Sequence, residues 1–334
     1  MSPELTPPSG AATRVAATTG QPVGARAGRL WQVWLRLALF LMPALLVVCL
    51  PVYLIDPYGL FARSSIVADS VRSENAARVN QALQAIVTFT RSPAPNILLG
   101  DSQMAHFKLG DIEAITHRPF SNLSYGGGTL AESISSFWYA TRITRLQSVY
   151  FGVSFYSFID SSRNRVSAAE RLVDNPLVSF ASGDVLEATW DDILAQFLHH
   201  AVSYRPTVDA ATFWQQQLGE LLRRKASYPA STQTLTQLAA IVHYCKTHDI
   251  MFAFVIPPQH EDVRRRIAQL GMERQYADFK GTVTALAATY DCDVANEITR
   301  DAGNFQDPFH TTPVAADAVA RSIWTDRHAW CEAR

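Results

Sequence analysis

Residues 96–102 read NILLGDS, a short apolar run that leads directly into the tripeptide Gly-Asp-Ser ending at Ser102. A run of this length, preceded by Pro93 and Pro95, is typical of a buried strand in a parallel sheet rather than of a helix. A serine directly after such a strand lies at the carboxyl edge of the sheet, where open α/β sheets carry their sites. Alone, the tripeptide is equally compatible with a turn or a helix cap, because Asp and Ser favour both.

Apolar strands and helical segments alternate along the rest of the chain. The sequence predicts strands at 96–100, 121–125, 148–158, 250–256 and 293–295, and helices at 71–89, 129–144, 182–202, 209–226, 231–248, 261–270, 273–290 and 313–324. Near-continuous apolar strands separated by helices predict a three-layer α/β fold with a doubly wound, mostly parallel sheet of the flavodoxin-like kind. The functional site is expected in the loops at the carboxyl ends of the strands.

Residues 37–55, LALFLMPALLVVCLPVYLI, contain no charge. At about 1.5 Å per residue the run nearly matches a hydrocarbon core of about 30 Å, which predicts one transmembrane helix over 31–55. Four arginines precede the run and Asp56 follows it. The positive-inside rule therefore predicts a single-pass protein of the inner (cytoplasmic) membrane, with a cytoplasmic N-terminus and a periplasmic or extracellular domain. A cleaved signal peptide is the alternative, although no A-x-A-like site follows the run, and a buried core helix is rarely so long and uncharged.

Composition sets the remaining boundaries. Residues 1–30 are rich in Pro, Gly, Ala, Ser and Thr, which predicts a disordered cytoplasmic tail. Residues 56–92 are predicted to form a juxtamembrane linker and helix that open with a turn at 56–59. Residues 93–334 are predicted to form the α/β domain, with a helical insertion around 161–230.

Charge and cysteine content exclude some classes of partner and cofactor. The chain has 334 residues and a formal net charge of −1, which gives no electrostatic reason to expect nucleic acid as a partner. No C-x-x-C pair occurs, so a metal site is not indicated. One disulfide can form among Cys245, Cys292 and Cys331, and the sequence does not identify the pair.

The segment Asp307-Pro308-Phe309-His310 contains the groups that a serine nucleophile needs. A serine attacks well only when a base accepts its proton, and a histidine base works best when a carboxylate fixes its tautomer. An Asp three residues ahead of a His, in a loop before the last helix, can supply both. Alone, the segment is equally compatible with a capped turn followed by a loop histidine.

Together, the Gly-Asp-Ser and Asp-x-x-His segments resemble the SGNH (GDSL-type) hydrolase superfamily over roughly residues 90–325. The resemblance implies a serine hydrolase or acyltransferase in which Ser102 is the nucleophile, His310 the base and Asp307 the residue that orients it. The glycine block of the family resembles residues 122–128, NLSYGGG, which implies an oxyanion hole made of the backbone N–H groups of Ser102, Gly126 and Gly127. Where the family has Gly-x-Asn this chain has GVS at 152–154, so Ser154 is expected to replace the asparagine donor.

The chain is similar, more closely, to membrane-anchored SGNH proteins of bacterial envelopes that are associated with O-acylation of polysaccharide. This similarity implies an esterase or O-acyltransferase that acts on acyl esters, in particular acetyl esters, of cell-envelope or extracellular polysaccharide. The substrate would be an acylated polysaccharide or a lipid-linked glycan, the partner a membrane-bound O-acyltransferase, and no cofactor is implied. Asp101, His106 and His260 are expected to bind substrate, although His106 could instead be a surface residue and His260 the first residue of a helix.

Two other classes of function stay open. A catalytically degenerate SGNH domain would bind glycan or dock a membrane-bound O-acyltransferase without turnover, an interpretation favoured by Ser154 in place of the family's asparagine. A phosphodiesterase or nuclease would require a metal cluster or a basic patch, and the sequence indicates neither.

Overall fold

A computed structural model of the chain describes residues 23–61, 65–199, 208–224, 228, 230–325 and 330–334. The chain divides into two compact units, Met1–Leu50 and Pro51–Arg334. Residues 1–22 of the predicted cytoplasmic tail lie outside the described residues.

The described part of the first unit is helical. Helix α1 spans Val23–Ile55 and so ends within the second unit. Among the described residues, no single helix is both long enough and apolar enough to be expected to span a membrane. Two consecutive helical segments, Trp31–Pro43 and Leu45–Ile55, reach that length and hydropathy only when taken together, and they are bent by 46° at their junction. The predicted transmembrane anchor therefore stays a prediction.

The second unit contains the strands and the remaining helices. The strands are β1 Asn96–Leu99, β2 Phe120–Asn122, β3 Ser148–Gly152, β4 Met251–Ile256, β5 Thr289–Asp291, β6 Phe305–Asp307, β7 His310–Thr311 and β8 Glu332–Ala333. The helices are α2 Asp69–Arg91, α3 Ser102–Ala105, α4 Leu109–Thr116, α5 Leu130–Ile143, α6 Val166–Asp174, α7 Gly183–Phe197, α8 Ala210–Arg224, α9 Thr232–Thr247, α10 Glu261–Gln269, α11 Glu273–Leu286, α12 Glu297–Arg300 and α13 Pro313–Trp324.

Six of these strands form one sheet in the order β2-β1-β3-β4-β5-β8. The first five are parallel and β8 pairs antiparallel with β5 at the edge. The predicted α/β fold with a mostly parallel sheet is confirmed, and the order 2-1-3-4-5 is the flavodoxin-like order of doubly wound sheets. Strands β6 and β7 form a separate two-stranded hairpin.

Alternate residues of the central strands face opposite sides of the sheet. In β1, Ile97 and Leu99 belong to a core that includes buried side chains of α2, α5, α9 and α11. Leu98 belongs to a second core, to which α3, α4 and α13 contribute. Both faces of the sheet are therefore covered by helices, which explains why the strand sequences are almost continuously apolar.

The last parallel strand differs from the prediction. Helix α11 ends at Leu286, and β5 occupies 289–291 rather than 293–295. Asp291 is fully buried in β5 because its carboxylate pairs with Lys280 at 2.9 Å. An acidic residue that locally indicates a loop is thus accommodated inside a strand by a partner from the preceding helix.

The cysteines of the second unit form one disulfide and leave one buried thiol. Cys292, directly after β5, is bonded to Cys331, directly before β8. Cys245 is free, and burial raises the pKa of its thiol to about 12. The disulfide joins the C-terminal segment to the carboxyl end of the sheet.

Candidate active site

Ser102 is positioned by the abrupt change from β1 to α3. Gly100 adopts φ +149°, and a Cβ there would lie 2.6 Å from Met104 Cγ, so the turn requires glycine. The Asp101 carboxylate then caps α3 by accepting a hydrogen bond from the Gln103 backbone N–H at 2.9 Å. Ser102 is therefore the first residue of α3, at the carboxyl edge of the sheet.

The Ser102 hydroxyl forms a hydrogen-bonded chain with the Asp-x-x-His segment. His310 Nε2 lies 2.7 Å from Ser102 Oγ, and His310 Nδ1 lies 2.7 Å from Asp307 Oδ2. Asp307 and His310 face each other across the β6–β7 hairpin. The structure thus brings the three residues of the predicted catalytic group together, although 208 positions separate serine from histidine.

Asp307 is held as a carboxylate by its own segment. Its Oδ1 accepts hydrogen bonds from the backbone N–H groups of Phe309 at 2.9 Å and His310 at 3.1 Å. Burial acts to raise the pKa of Asp307, but the His310 ring and these backbone donors outweigh it, so the pKa lies below its usual value. The ionised carboxylate favours the tautomer in which His310 carries its proton on Nδ1.

Two contacts that the sequence did not predict fix the hairpin in place. The Gln103 side chain donates from Nε2 to the Phe309 carbonyl at 2.7 Å. The His260 backbone N–H, after β4, donates to the Pro308 carbonyl at 2.9 Å. Because Gln103 adjoins the nucleophile, the first contact ties the position of His310 directly to that of Ser102.

The glycine block lies against the turn that carries the nucleophile. A Cβ on Gly128 would lie 2.9 Å from the Gly100 carbonyl oxygen and 3.3 Å from Asp101 Cα. Gly127 has φ +61°, in the left-handed region that favours glycine. Of the predicted oxyanion donors, the backbone N–H groups of Ser102 and Gly127 have no hydrogen-bond partner within the described parts of the chain.

Gly126 differs from the prediction because its backbone N–H donates to Oε1 of Gln81. Gln81 follows Asn80, whose non-helical φ of −148° and ψ of 90° kink helix α2. The Asn80 side chain caps the second half of α2 by accepting from the Leu83 N–H at 3.0 Å. The kink therefore exposes Gln81 at a point from which it reaches the glycine block.

Two arginines hold the carbonyl side of the glycine block. Arg163 and Arg165 both donate to the Gly127 carbonyl oxygen. Arg165 also pairs with the fully buried Glu132 at 2.8 Å. Burial acts to raise the pKa of Glu132, but its bonds with Arg165 outweigh this and lower the pKa. The two arginines therefore fix the orientation of the peptide group between Gly127 and Gly128.

The Ser154 hydroxyl contacts its own segment and Asp101. Ser154 is buried, and its hydroxyl accepts from the Ser157 N–H at 3.3 Å in a reciprocal capping box that starts a 3-10 helix. The same hydroxyl donates to Asp101 Oδ2 at 3.4 Å. Because the cap starts a 3-10 helix, strand β3 ends at Gly152 rather than at residue 158. The role of Ser154 as an oxyanion donor stays a prediction.

Two of the three residues expected to bind substrate, Asp101 and His260, have partners within the protein. Burial raises the pKa of Asp101, whose carboxylate oxygens accept from Gln103 and Ser154. His260 is buried: its Nδ1 accepts from the Asp262 N–H and its Nε2 lies 3.2 Å from the Arg300 carbonyl. These partners belong to the protein itself, and the expectation that Asp101 and His260 bind substrate stays a prediction.

His106 lies beside the base of the hydrogen-bonded chain. Its ring centroid is 5.0 Å from that of His310, with the rings inclined by 31°. Burial, and then the charge of His310, lower the pKa of His106 below its usual value. A neutral imidazole therefore covers one side of His310, where it can shield the base or contact a substrate.

The arrangement is suited to nucleophilic acyl chemistry. It contains a nucleophile, a base in contact with it, a carboxylate that orients the base, and, at Ser102 and Gly127, two backbone N–H groups without partners among the described residues. Among the residues that the structure describes, no group of three or more His, Cys, Asp or Glu side chains is arranged to hold a metal ion.

No family model and no curated protein matches this chain. Among solved structures, one similar chain is a protein from Streptococcus pneumonia whose description names platelet activating factor. The two chains share 10% sequence identity with a TM-score of 0.39, over 73% of this chain and 91% of the other. Similarity at this level carries no argument about fold or activity.

Proposed function

We propose that this protein is a serine esterase or O-acyltransferase of the SGNH type. The observation that carries the proposal is the chain from Ser102 through His310 to Asp307, with both links at 2.7 Å. The order of the segments agrees with it, since Gly-Asp-Ser follows the first strand and Asp-x-x-His precedes the last long helix.

The reaction proceeds through an acyl-enzyme. Ser102 Oγ attacks the ester carbonyl carbon while His310 Nε2 takes its proton, and Asp307 stabilises the resulting imidazolium. The N–H groups of Ser102 and Gly127 hold the oxyanion of the tetrahedral intermediate. Its collapse breaks the bond to the alcohol, which leaves with the proton from His310. Water or a sugar hydroxyl then attacks the acyl-enzyme by the same steps, which yields hydrolysis or transfer.

The substrate proposed is an acylated polysaccharide or lipid-linked glycan of the cell envelope. The uncharged run at 37–55 supports a membrane anchor, with the second unit on the periplasmic or extracellular side. An anchored enzyme meets polymers and lipid-linked glycans at the membrane surface more often than freely diffusing metabolites. A membrane-bound O-acyltransferase is the proposed partner, because it would deliver acyl groups at the same surface.

A second candidate function is a degenerate domain that binds glycan or docks an acyltransferase without turnover. It is favoured by two observations: Gln81 occupies the N–H of Gly126, and the hydroxyl of Ser154 is committed to a cap. Loss of one oxyanion donor can reduce the rate by about 10²–10³. A site in which only two donors are free is therefore either slow or inactive.

Covalent labelling and turnover distinguish the two candidates. The full chain in detergent is treated with a fluorophosphonate probe and, separately, with p-nitrophenyl acetate. We expect labelling at Ser102, none in Ser102→Ala, and at least about 100-fold slower labelling in His310→Ala, because the base is lost. The exposed Ser167→Ala serves as the matched control. Equal labelling and equal release of nitrophenol by the wild type and both site variants would refute the enzymatic proposal and favour the binding domain.

A further inference from the structure

The last residues of α1, from Pro51 to Ile55, belong to the second unit and pack against it. Val52 and Ile55 are almost fully buried there. The ring of Phe61 lies 5.3 Å from that of Tyr53 and stacks on Phe180 at 5.4 Å. Phe180 belongs to the 3-10 helix Pro176–Ala181, which packs against α6 and α7.

Polar contacts fix the direction of the chain just after α1. Asp56 is buried, and its Oδ2 accepts from the Phe61 N–H at 3.0 Å. Arg72 donates to the Asp56 carbonyl at 2.7 Å, and the Ser65 hydroxyl donates to the Ile55 carbonyl at 2.5 Å. The last turn of α1 therefore has a defined position on the surface of the second unit.

Large apolar side chains are exposed on the elements that surround this turn. We define the apolar patch as Ile66, Leu177, Val178, Trp190, Phe197 and Leu198, which are 47–69% exposed. Leu177 and Val178 lie in the same 3-10 helix as Phe180. Ile66 follows Ser65, and the hydrogen bond from the Ala68 N–H to Gln196 Oε1 brings that segment to the end of α7 beside Phe197.

Trp190 extends the apolar patch along α7. It precedes Phe197 by seven residues, which places the two side chains on one face of the helix, about 10 Å apart along its axis. Single exposed apolar residues are normal, whereas a group of six that adjoins the end of the uncharged run at 37–55 indicates an interaction surface. Tryptophan is enriched where a protein meets the interface of a bilayer.

We infer that the apolar patch rests on the lipid surface of the bilayer that α1 enters. The inference rests on the membrane anchor in the proposed function and goes beyond it, since an anchor alone does not determine which face of the second unit meets the membrane. Lipid is the occupant that the position favours, because the patch begins where the predicted span ends. The contact would hold the domain in one orientation and keep its active site at a constant height above the membrane.

Three exposed valines provide matched probes: Val47 in α1, Val178 in the apolar patch and Val314 in α13. Each is replaced singly by cysteine in a Cys49→Ala background and labelled with an environment-sensitive NBD fluorophore; the buried Cys245 is protected. The full-length protein is reconstituted into phosphatidylcholine vesicles with or without lipids that carry a shallow doxyl quencher. We expect Val47→Cys and Val178→Cys to be quenched at least about twofold, and Val314→Cys to be unaffected.

Each other outcome overturns a defined part of the argument. Quenching at Val47 without quenching at Val178 would leave the membrane anchor standing and overturn the patch contact. Absence of quenching at all three positions would overturn both, while leaving the esterase proposal to its own labelling test. A blue shift at Val178 that grows with protein concentration and resists doxyl lipid would assign the patch to a second copy of the chain instead.

Discussion

Asp307→Asn separates the orienting role of this side chain from its structural role. The amide oxygen of asparagine can still accept from the backbone N–H groups of Phe309 and His310, which Asp307 Oδ1 accepts at 2.9 and 3.1 Å. Its amide nitrogen, however, faces His310 Nδ1, where Asp307 Oδ2 lies at 2.7 Å. Two donors cannot face each other, so the imidazole moves its proton to Nε2. It then points a proton at Ser102 and cannot act as a base.

The expected loss in kcat/KM is about 10³–10⁴, which corresponds to about 4–5.5 kcal/mol of transition-state stabilisation. Because both backbone hydrogen bonds persist, we expect the free energy of unfolding to change by less than about 1 kcal/mol. The assay combines p-nitrophenyl acetate turnover with urea unfolding of the full chain in detergent. Asp301→Asn is the control, since Asp301 also caps a short helix, through the Gly303 N–H, but does not contact the site. A loss in kcat/KM below about tenfold, with the fold intact, would refute the orienting role of Asp307.

Three further predictions concern residues around the site. Gln81→Ala frees the Gly126 N–H, so kcat/KM should rise by at least about fivefold, the equivalent of one hydrogen bond of about 1 kcal/mol. A fall in kcat/KM would mean that Gln81 itself aids the reaction. Burial and the His310 charge lower the pKa of His106, so its contribution to stability is present above the unfolded pKa of about 6.5 and is lost as pH falls. The His106→Phe variant should therefore lose less thermal stability than the wild type between about pH 7.5 and pH 5. An equal loss in the two proteins would contradict this prediction. Cys292→Ser removes the disulfide to Cys331 and should lower the free energy of unfolding by about 2–4 kcal/mol in chemical denaturation, whereas a change below about 0.5 kcal/mol would show that the bond carries little stability.

The central strands and most long helices were predictable because their signals are local. The apolar runs of β1, β3 and β4 and the helix at 313–324 are visible in short windows of sequence. The edge of the sheet was not predictable in this way, because Asp291 enters β5 only through its pairing with Lys280. The short helices α4 and α6 were missed, and burial in α4 is confined to Ile112, which gives its sequence little periodicity.

The residues of the candidate site also fall into those that local sequence predicts and those that it does not. Ser102, Asp307 and His310 stand in two short segments whose residue types indicate their chemistry. Contacts such as that of Gln81 with Gly126 join positions 45 residues apart, and no local pattern predicts them. The capping role of Ser154 could have been predicted locally, because Ser154 and Ser157 have the spacing of a reciprocal capping box.

The distance along the chain between Ser102 and His310 has a consequence for biosynthesis. A ribosome that has completed the serine must add 208 more residues before the imidazole exists, and the hairpin that carries it needs β4 and α3 as supports. Until then the hydroxyl is an ordinary alcohol, which reacts poorly with esters. Chains that end before His310 therefore lack the base that the proposed acyl chemistry requires, and they should not react with a fluorophosphonate probe.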